Sequence, residues 1–173
     1  LVAAHRAGIH HRDLKPANVM VTAHDRPKLT DFGLAKVRGE ESLVGAGALE
    51  GTPGYMSPEQ ALGKAVELAH RTDVFSLGAC IHHAITLVAP FGHGEVTEIL
   101  RRTGKDAPVG RPVGNDPAAR ELLRISRRCL EKAPDDRYPD MRSVRDDLAN
   151  VLDGRPARGA QRPWVMRVLG RMR

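Results

Sequence analysis

Residues 10–18 read His10-His11-Arg12-Asp13-Leu14-Lys15-Pro16-Ala17-Asn18. Two short strand signals follow, Asn18–Thr22 and Pro27–Asp31, separated by the polar turn Ala23-His24-Asp25-Arg26. A hairpin of this length returns the chain on itself. It places Asn18 and Asp31 at the same end of two short strands, with Asp31-Phe32-Gly33 leaving the second one. Residues 33–54 are rich in glycine and show no apolar period. They read as a long loop, and long loops inside compact domains are usually functional. The loop runs into Gly51-Thr52-Pro53-Gly54-Tyr55-Met56-Ser57-Pro58-Glu59.

On either side the pattern is helical. Residues 1–9 read as the end of a helix. From Thr72, a plausible cap before Asp73, the residues Val74, Phe75, Gly78, Ile81, Ile85 and Val88 recur at helical spacing. Residues 89–115 are rich in Gly and Pro around a short helical piece, Val96–Arg102. Asp116-Pro117 then supplies a cap and a first-turn proline. The helix it opens carries Ala119, Leu122, Leu123, Ser126, Cys129 and Leu130 on one face. A last helix is predicted over Pro139–Asp153, with Met141, Val144, Leu148, Val151 and Leu152 apolar and a stop at Gly154. A hairpin, a long loop and then helices do not make a parallel α/β sheet. The order predicts a mainly helical lobe with its site on loops.

Composition narrows the class. At 173 residues, 41% hydrophobic and 28% charged, the chain can fold as one ordinary domain with a real core. Disordered, collagen-like and disulfide-stapled chains are excluded. No apolar run is long enough to span a bilayer, and the first residues hold no secretory apolar region. The net charge is +6, and the six arginines beyond Gly154, unaccompanied by any acid, account for all of it. The body is neutral, so it lacks the basic stripe of a nucleic-acid domain, and no nucleic-acid partner is expected. Cys80 and Cys129 match no disulfide framework and no zinc spacing, which suits reduced thiols and a cytoplasmic setting. The neighbouring pairs His10-His11 and His82-His83 do not have ligand spacing either.

His11-Arg12-Asp13 with Asn18, Asp31-Phe32-Gly33, and Gly51-Thr52 running to Pro58-Glu59 resemble, in order and spacing, the catalytic loop, metal-binding loop and activation-segment end of protein kinases. The resemblance covers about residues 1–153. It implies a protein-kinase-like α+β fold represented by its mainly helical C-terminal lobe with a small β-hairpin, the N-lobe being absent. It implies an ATP-dependent protein kinase in signalling, with ATP and Mg²⁺ as cofactors. Asp13 would accept or orient the substrate hydroxyl proton, and Lys15 would touch the transferring phosphoryl as a point charge. Asn18 and Asp31 would offer oxygens to Mg²⁺, a hard cation. The catalytic residues are thus Asp13 and Lys15, the cofactor-binding residues Lys15, Asn18 and Asp31, and the metal ligands Asn18 and Asp31.

The same resemblance reaches further. Lys15-Pro16 and Gly51-Thr52 before Tyr55 resemble serine/threonine kinases, and Met56-Ser57-Pro58-Glu59-Gln60 resembles bacterial members. Their substrates would be Ser/Thr hydroxyls of proteins. Thr72-Asp73-Val74-Phe75-Ser76-Leu77-Gly78 is similar to the start of the central helix, whose aspartate accepts catalytic-loop N–H groups. Pro134-Asp135-Asp136-Arg137 is similar to the loop whose arginine pairs with the segment glutamate, here Glu59. Thr52 would contact Asp13 and Lys15. Arg12 implies control by loop phosphorylation, with Ser42 as the expected site. The Gly-rich loop, the strand lysine and its helix glutamate are not found in these residues. The expected division is a partial kinase domain over 1–154 and an arginine-rich tail over 155–173, a linker or a contact with an anionic membrane surface. Because the chain begins at Leu1 rather than Met, its true N-terminus is expected upstream. The first C-lobe helices would also be missing. The chain alone is expected to fold poorly, to leave the apolar face of the helix near Asp73 partly uncovered and to transfer no phosphate. The alternative function is a C-lobe that docks peptides or another kinase without catalysis.

Overall fold

The computed structural model describes residues 1–32, 52–62 and 69–160, and the backbone of 36–37. The order is α1 (Val2–Arg6), β1 (Ile9–His10), β2 (Val19–Val21), β3 (Pro27–Leu29), β4 (Lys36–Val37), α2 (Pro58–Ala61), α3 (Ala69–Thr86), α4 (Val96–Lys105), α5 (Pro117–Cys129) and α6 (Met141–Leu152). Single 3₁₀ turns lie at Pro16–Asn18 and Pro134–Asp136. β2 and β3 form the expected antiparallel hairpin, with Val19 opposite Leu29 and Val21 opposite Pro27. A second pair, unexpected from the sequence, joins Ile9 to Val37 and His10 to Lys36.

The strands are shorter than predicted. Asn18 lies in the 3₁₀ turn and Asp31 has a left-handed φ of 58°, so both sit just beyond the strand ends. α3 is described from Ala69, which puts Thr72 inside the helix. Thr72 is no cap, and its hydroxyl donates to Glu59 instead. α4 runs on to Lys105. α6 starts at Met141 rather than Pro139, because the Asp140 carboxylate accepts the Ser143 N–H at 2.7 Å and caps the first turn. α5 begins as expected, with Asp116 accepting from the Ala118 N–H.

α3 is the axis of the core. Val74 packs with Ile125, Cys129, Tyr138, Met141, Val144, Val151 and Ala157. On another side Phe75 and Ala79 pack with Phe91 and Leu130. α3 and α5 approach so closely at Gly78 that a side chain there would collide with Cys129. The Ser126 hydroxyl donates to the Gly78 carbonyl at 2.9 Å and fixes the crossing. Burial pushes the thiols of Cys80 and Cys129 up to about 12, which makes both poor nucleophiles at neutral pH.

The packed chain continues past Gly154. Ala157 is fully buried, its N–H donates to Glu121, and the Gly159 N–H donates to Asp147 at 3.0 Å. Residues 161–173, which carry the rest of the arginine-rich tail, lie outside the described residues. Leu77 of α3 faces an apolar groove of about 470 Å³ shared with Leu1, Val2, Leu29 and Leu148. No helix among the described residues is long and apolar enough to cross a membrane.

Candidate active site

Residues 11–18 form an irregular loop, and its shape depends on one carboxylate. Asp73 is fully buried near the start of α3 and accepts the N–H groups of His11 and Arg12, each at 2.8 Å. His5 Nε2 lies 2.8 Å from the same carboxylate. Backbone donors at a sharp bend need such a partner, because a buried N–H without one costs about 1–3 kcal/mol. The bend is real: Arg12 has φ 65°. Gln60 of α2 holds the other side of that residue, its amide N–H donating to the Arg12 carbonyl at 2.6 Å. Leu14 points into the protein and is 1% exposed.

This fixes the backbone of Asp13 and leaves its side chain at the surface. Lys15 Nζ donates to Asp13 Oδ2 at 2.7 Å and to Thr52 Oγ1 at 2.9 Å. Thr52 Oγ1 in turn donates to Asp13 Oδ1 at 2.9 Å. The three side chains close a triangle in which each carboxylate oxygen of Asp13 has one donor. The lysine and aspartate side chains keep 25% and 12% of their exposure, so the triangle opens to solvent.

Asn18 donates its amide N–H to the Asp13 carbonyl at 2.9 Å. That bond sets the amide's orientation and turns its oxygen the other way. The Asn18 carbonyl accepts the N–H of Thr30 at 3.0 Å, which brings Asp31, one residue on, beside it. His11 clamps the same corner. Its Nε2 lies 3.0 Å from the Thr30 carbonyl, and its ring packs on Phe32 at 4.6 Å between centroids. Asn18 and Asp31 thus lie at the same end of the hairpin, and each carries a hard side-chain oxygen. The pair suits Mg²⁺, which keeps several waters and takes one or two protein oxygens together with substrate phosphates. Among the described residues no group of three or more His, Cys, Asp or Glu is placed to hold a metal ion.

Below the loop, Glu59 and Arg137 form the expected pair. Two guanidinium nitrogens donate to the two carboxylate oxygens at 2.7 and 2.8 Å, and Thr72 adds a third bond at 3.0 Å. Arg137 is 1% exposed and also donates to the carbonyls of Arg71, Glu131 and Lys132. Burial pushes the Glu59 carboxyl up, but the bonds and charge of Arg137 outweigh it and the net shift is down. The Ser57 side chain and Gln60 complete a capping box on α2, so one turn of helix orients Glu59 downward and Gln60 toward Arg12.

Hydrogen bonds join Asp13, Lys15 and Thr52 and tie Asn18 to the Asp13 carbonyl, and Asp31 follows Thr30, whose N–H donates to the Asn18 carbonyl. The sequence reading did not include His5, Gln60 or the His11 clamp. Their partners lie 68, 48 and 19 residues away, and only the capping-box spacing Ser57-x-x-Gln60 gave a local signal. Ser42 lies outside the described residues.

Comparison with known proteins agrees with this geometry. A family model described as the protein kinase domain matches residues 1–147. A probable serine/threonine-protein kinase of Clostridium acetobutylicum is 37% identical over 148 residues, which cover 86% of this chain and 22% of that protein. The serine/threonine-protein kinase PknA of Mycobacterium tuberculosis is 38% identical over 165 residues, 94% of this chain and 37% of PknA. PknB from the same species is 33% identical over 155 residues, 88% of this chain and 24% of PknB. The chain therefore spans well under half the length of these relatives.

Proposed function

Because this chain belongs to the protein kinase family, we propose that it carries the phosphate-transferring face of a bacterial-type serine/threonine kinase, acting on Ser/Thr hydroxyls of proteins with ATP. The observation that supports this best is the closed triangle of Asp13, Lys15 and Thr52, with Asn18 donating to the Asp13 carbonyl beside it.

Each residue has a chemical task. Asp13 takes the proton as the substrate oxygen forms its bond to the γ-phosphorus. The bond from that phosphorus to the bridging oxygen breaks, and ADP leaves. Lys15 is held between Asp13 and Thr52, where its charge meets the oxygens of the transferring group. Asn18 and Asp31 hold the metal corner; Mg²⁺ bound there would supply charge neutralisation for the phosphates. Asp73 and Gln60 touch no reacting atom. They hold the Arg12 bend, and with it the position of Asp13. We place this activity in the cytoplasm, and the arginines of 155–173 are the residues that would meet an anionic membrane surface.

The test is Mg-ATP-dependent transfer of labelled γ-phosphate to a serine/threonine protein substrate by the full-length protein. Asp13→Asn should lower transfer by about 10²–10⁴-fold without shifting the melting temperature. Equal transfer by the variant and the parent would remove Asp13 from the mechanism. No transfer by either would favour a docking module.

A further inference from the structure

Thr52 closes the catalytic triangle, but nothing in the triangle holds Thr52 from behind. That support comes from Tyr55. The Tyr55 N–H donates to the Thr52 carbonyl at 2.9 Å, making residues 52–55 a single turn. Tyr55 is itself fixed to α3 in three ways. Its carbonyl accepts the Ser76 hydroxyl at 2.9 Å, and its ring packs on the cluster of Phe75, Ala79, Phe91 and Leu130. Its hydroxyl and Nδ1 of His83 share a hydrogen bond of 2.6 Å. The two rings lie within 3° of parallel at 6.1 Å. Burial, then the neighbouring Cys80, pushes the Tyr55 phenol up, so it stays protonated in that bond.

The Ser76 bond and the ring packing hold the main chain and the body of the side chain. Among the described residues, His83 is the one that grips the far tip of the ring. A side chain anchored at its main chain and at its hydroxyl resists a swing of either end, and a swing of the Tyr55 main chain would move the turn that carries Thr52.

We propose that His83 is a positioning residue. Acting through Tyr55, it sets the tilt of the Thr52–Tyr55 turn and so the seat of the substrate segment whose hydroxyl approaches Asp13. The substrate half of this statement rests on the kinase reading; the mechanical half does not.

The experiment uses the full chain with His83→Ala, His83→Asn, Tyr55→Phe and the double variant His83→Ala/Tyr55→Phe. Asparagine keeps a polar group near the Nδ1 position. Amide hydrogen exchange reads the turn directly. His83→Ala should speed exchange of the Tyr55 amide by about three- to tenfold, the loss of one hydrogen bond, while the amides of Phe75 and Ala79 in α3 stay as in the parent. Tyr55→Phe should match it, the double variant should add nothing further, and His83→Asn should restore protection. In the phosphotransfer assay, His83→Ala should raise KM for a protein substrate about three- to tenfold and leave KM for ATP unchanged. Parent-like exchange at Tyr55 in His83→Ala overturns the proposal. So does faster exchange spread along α3, which would make His83 a packing residue only, or a failure of His83→Asn to restore protection. If the parent transfers no phosphate while the exchange pattern holds, the kinase reading fails and the mechanical link stands.

Discussion

Glu59 and Glu98 both grip arginines, with closest contacts of 2.7 and 2.8 Å, yet the two regions do different work. Glu59 meets Arg137 beneath the catalytic loop, where their side chains are 9% and 0% exposed. Glu98 meets Arg101 and Arg102 along the outer face of α4, where the three side chains are 36–48% exposed. Water and salt screen the α4 group, so exposed pairs of this kind contribute little. The buried pair has no such alternative solvation. Whichever partner is removed, the other keeps its charge inside the protein. Equal distances therefore describe a lock in one region and surface decoration in the other.

The largest effect should come from breaking the lock. Arg137→Ala leaves the Glu59 carboxylate buried and strips hydrogen bonds from three backbone carbonyls. The expected loss is about 3–5 kcal/mol in chemical denaturation, a large share of a domain's stability. Because Gln60 adjoins Glu59 and holds the Arg12 carbonyl, the lesion should reach the catalytic loop as well. A loss below about 1 kcal/mol would place Arg137 with the surface arginines and erase the contrast.

One substitution made in both regions sharpens the comparison. Gly78 of α3 lies against Cys129, and an added methyl would collide with it, whereas Gly104 of α4 has nothing within 4 Å of an added Cβ. Gly78→Ala should therefore destabilise by about 1–3 kcal/mol through overpacking. Gly104→Ala should stabilise by about 0.5–1 kcal/mol, because alanine loses less backbone freedom in a helix. The opposite signs are the prediction, read from two thermal melts. The same sign at both would mean that packing does not distinguish the regions.

Much of this was legible in the sequence. Asp13, Lys15, Asn18 and Asp31 stood out as candidates because their motif spacing is local, and the hairpin between them is short and has a polar turn. Glu59–Arg137 was readable only through resemblance, since its partners lie 78 residues apart. Three kinds of feature stayed hidden. The pairing of Ile9–His10 with Lys36–Val37 is too short for any period to show. The first described turn of α3, Ala69-His70-Arg71, carries little apolar signal and is held by contacts such as Arg71 donating to the Pro134 carbonyl at 2.8 Å. The supports of the loop, His5 and Gln60, are ordinary polar residues until the fold sets them against Asp73 and Arg12. The α5 face was also read too narrowly, since Ile125, between Leu122 and Cys129, is fully buried.

The smallest effect tests the same contrast by pH. Arg137 holds the Glu59 carboxyl below its ordinary value despite burial, and Arg101 and Arg102 hold Glu98 at about 2. In both cases the folded protein binds the proton less readily than the unfolded chain does. Each group's contribution is therefore complete above the unfolded value near 4.5 and is lost as pH falls through the folded one. The sign is shared, but the screening is not. At 1 M salt the screening length falls to about 3 Å, so the Glu98 contribution should vanish while that of Glu59 persists. Denaturation of the parent, Glu59→Gln and Glu98→Gln between pH 5 and 2 at low and high salt measures this. Glu59→Gln should flatten the acid limb at both salt concentrations, and Glu98→Gln should change it only at low salt. A Glu59 contribution that disappears in 1 M salt would mean solvent reaches the pair, and the lock beneath the catalytic loop would be a surface bridge like the one on α4.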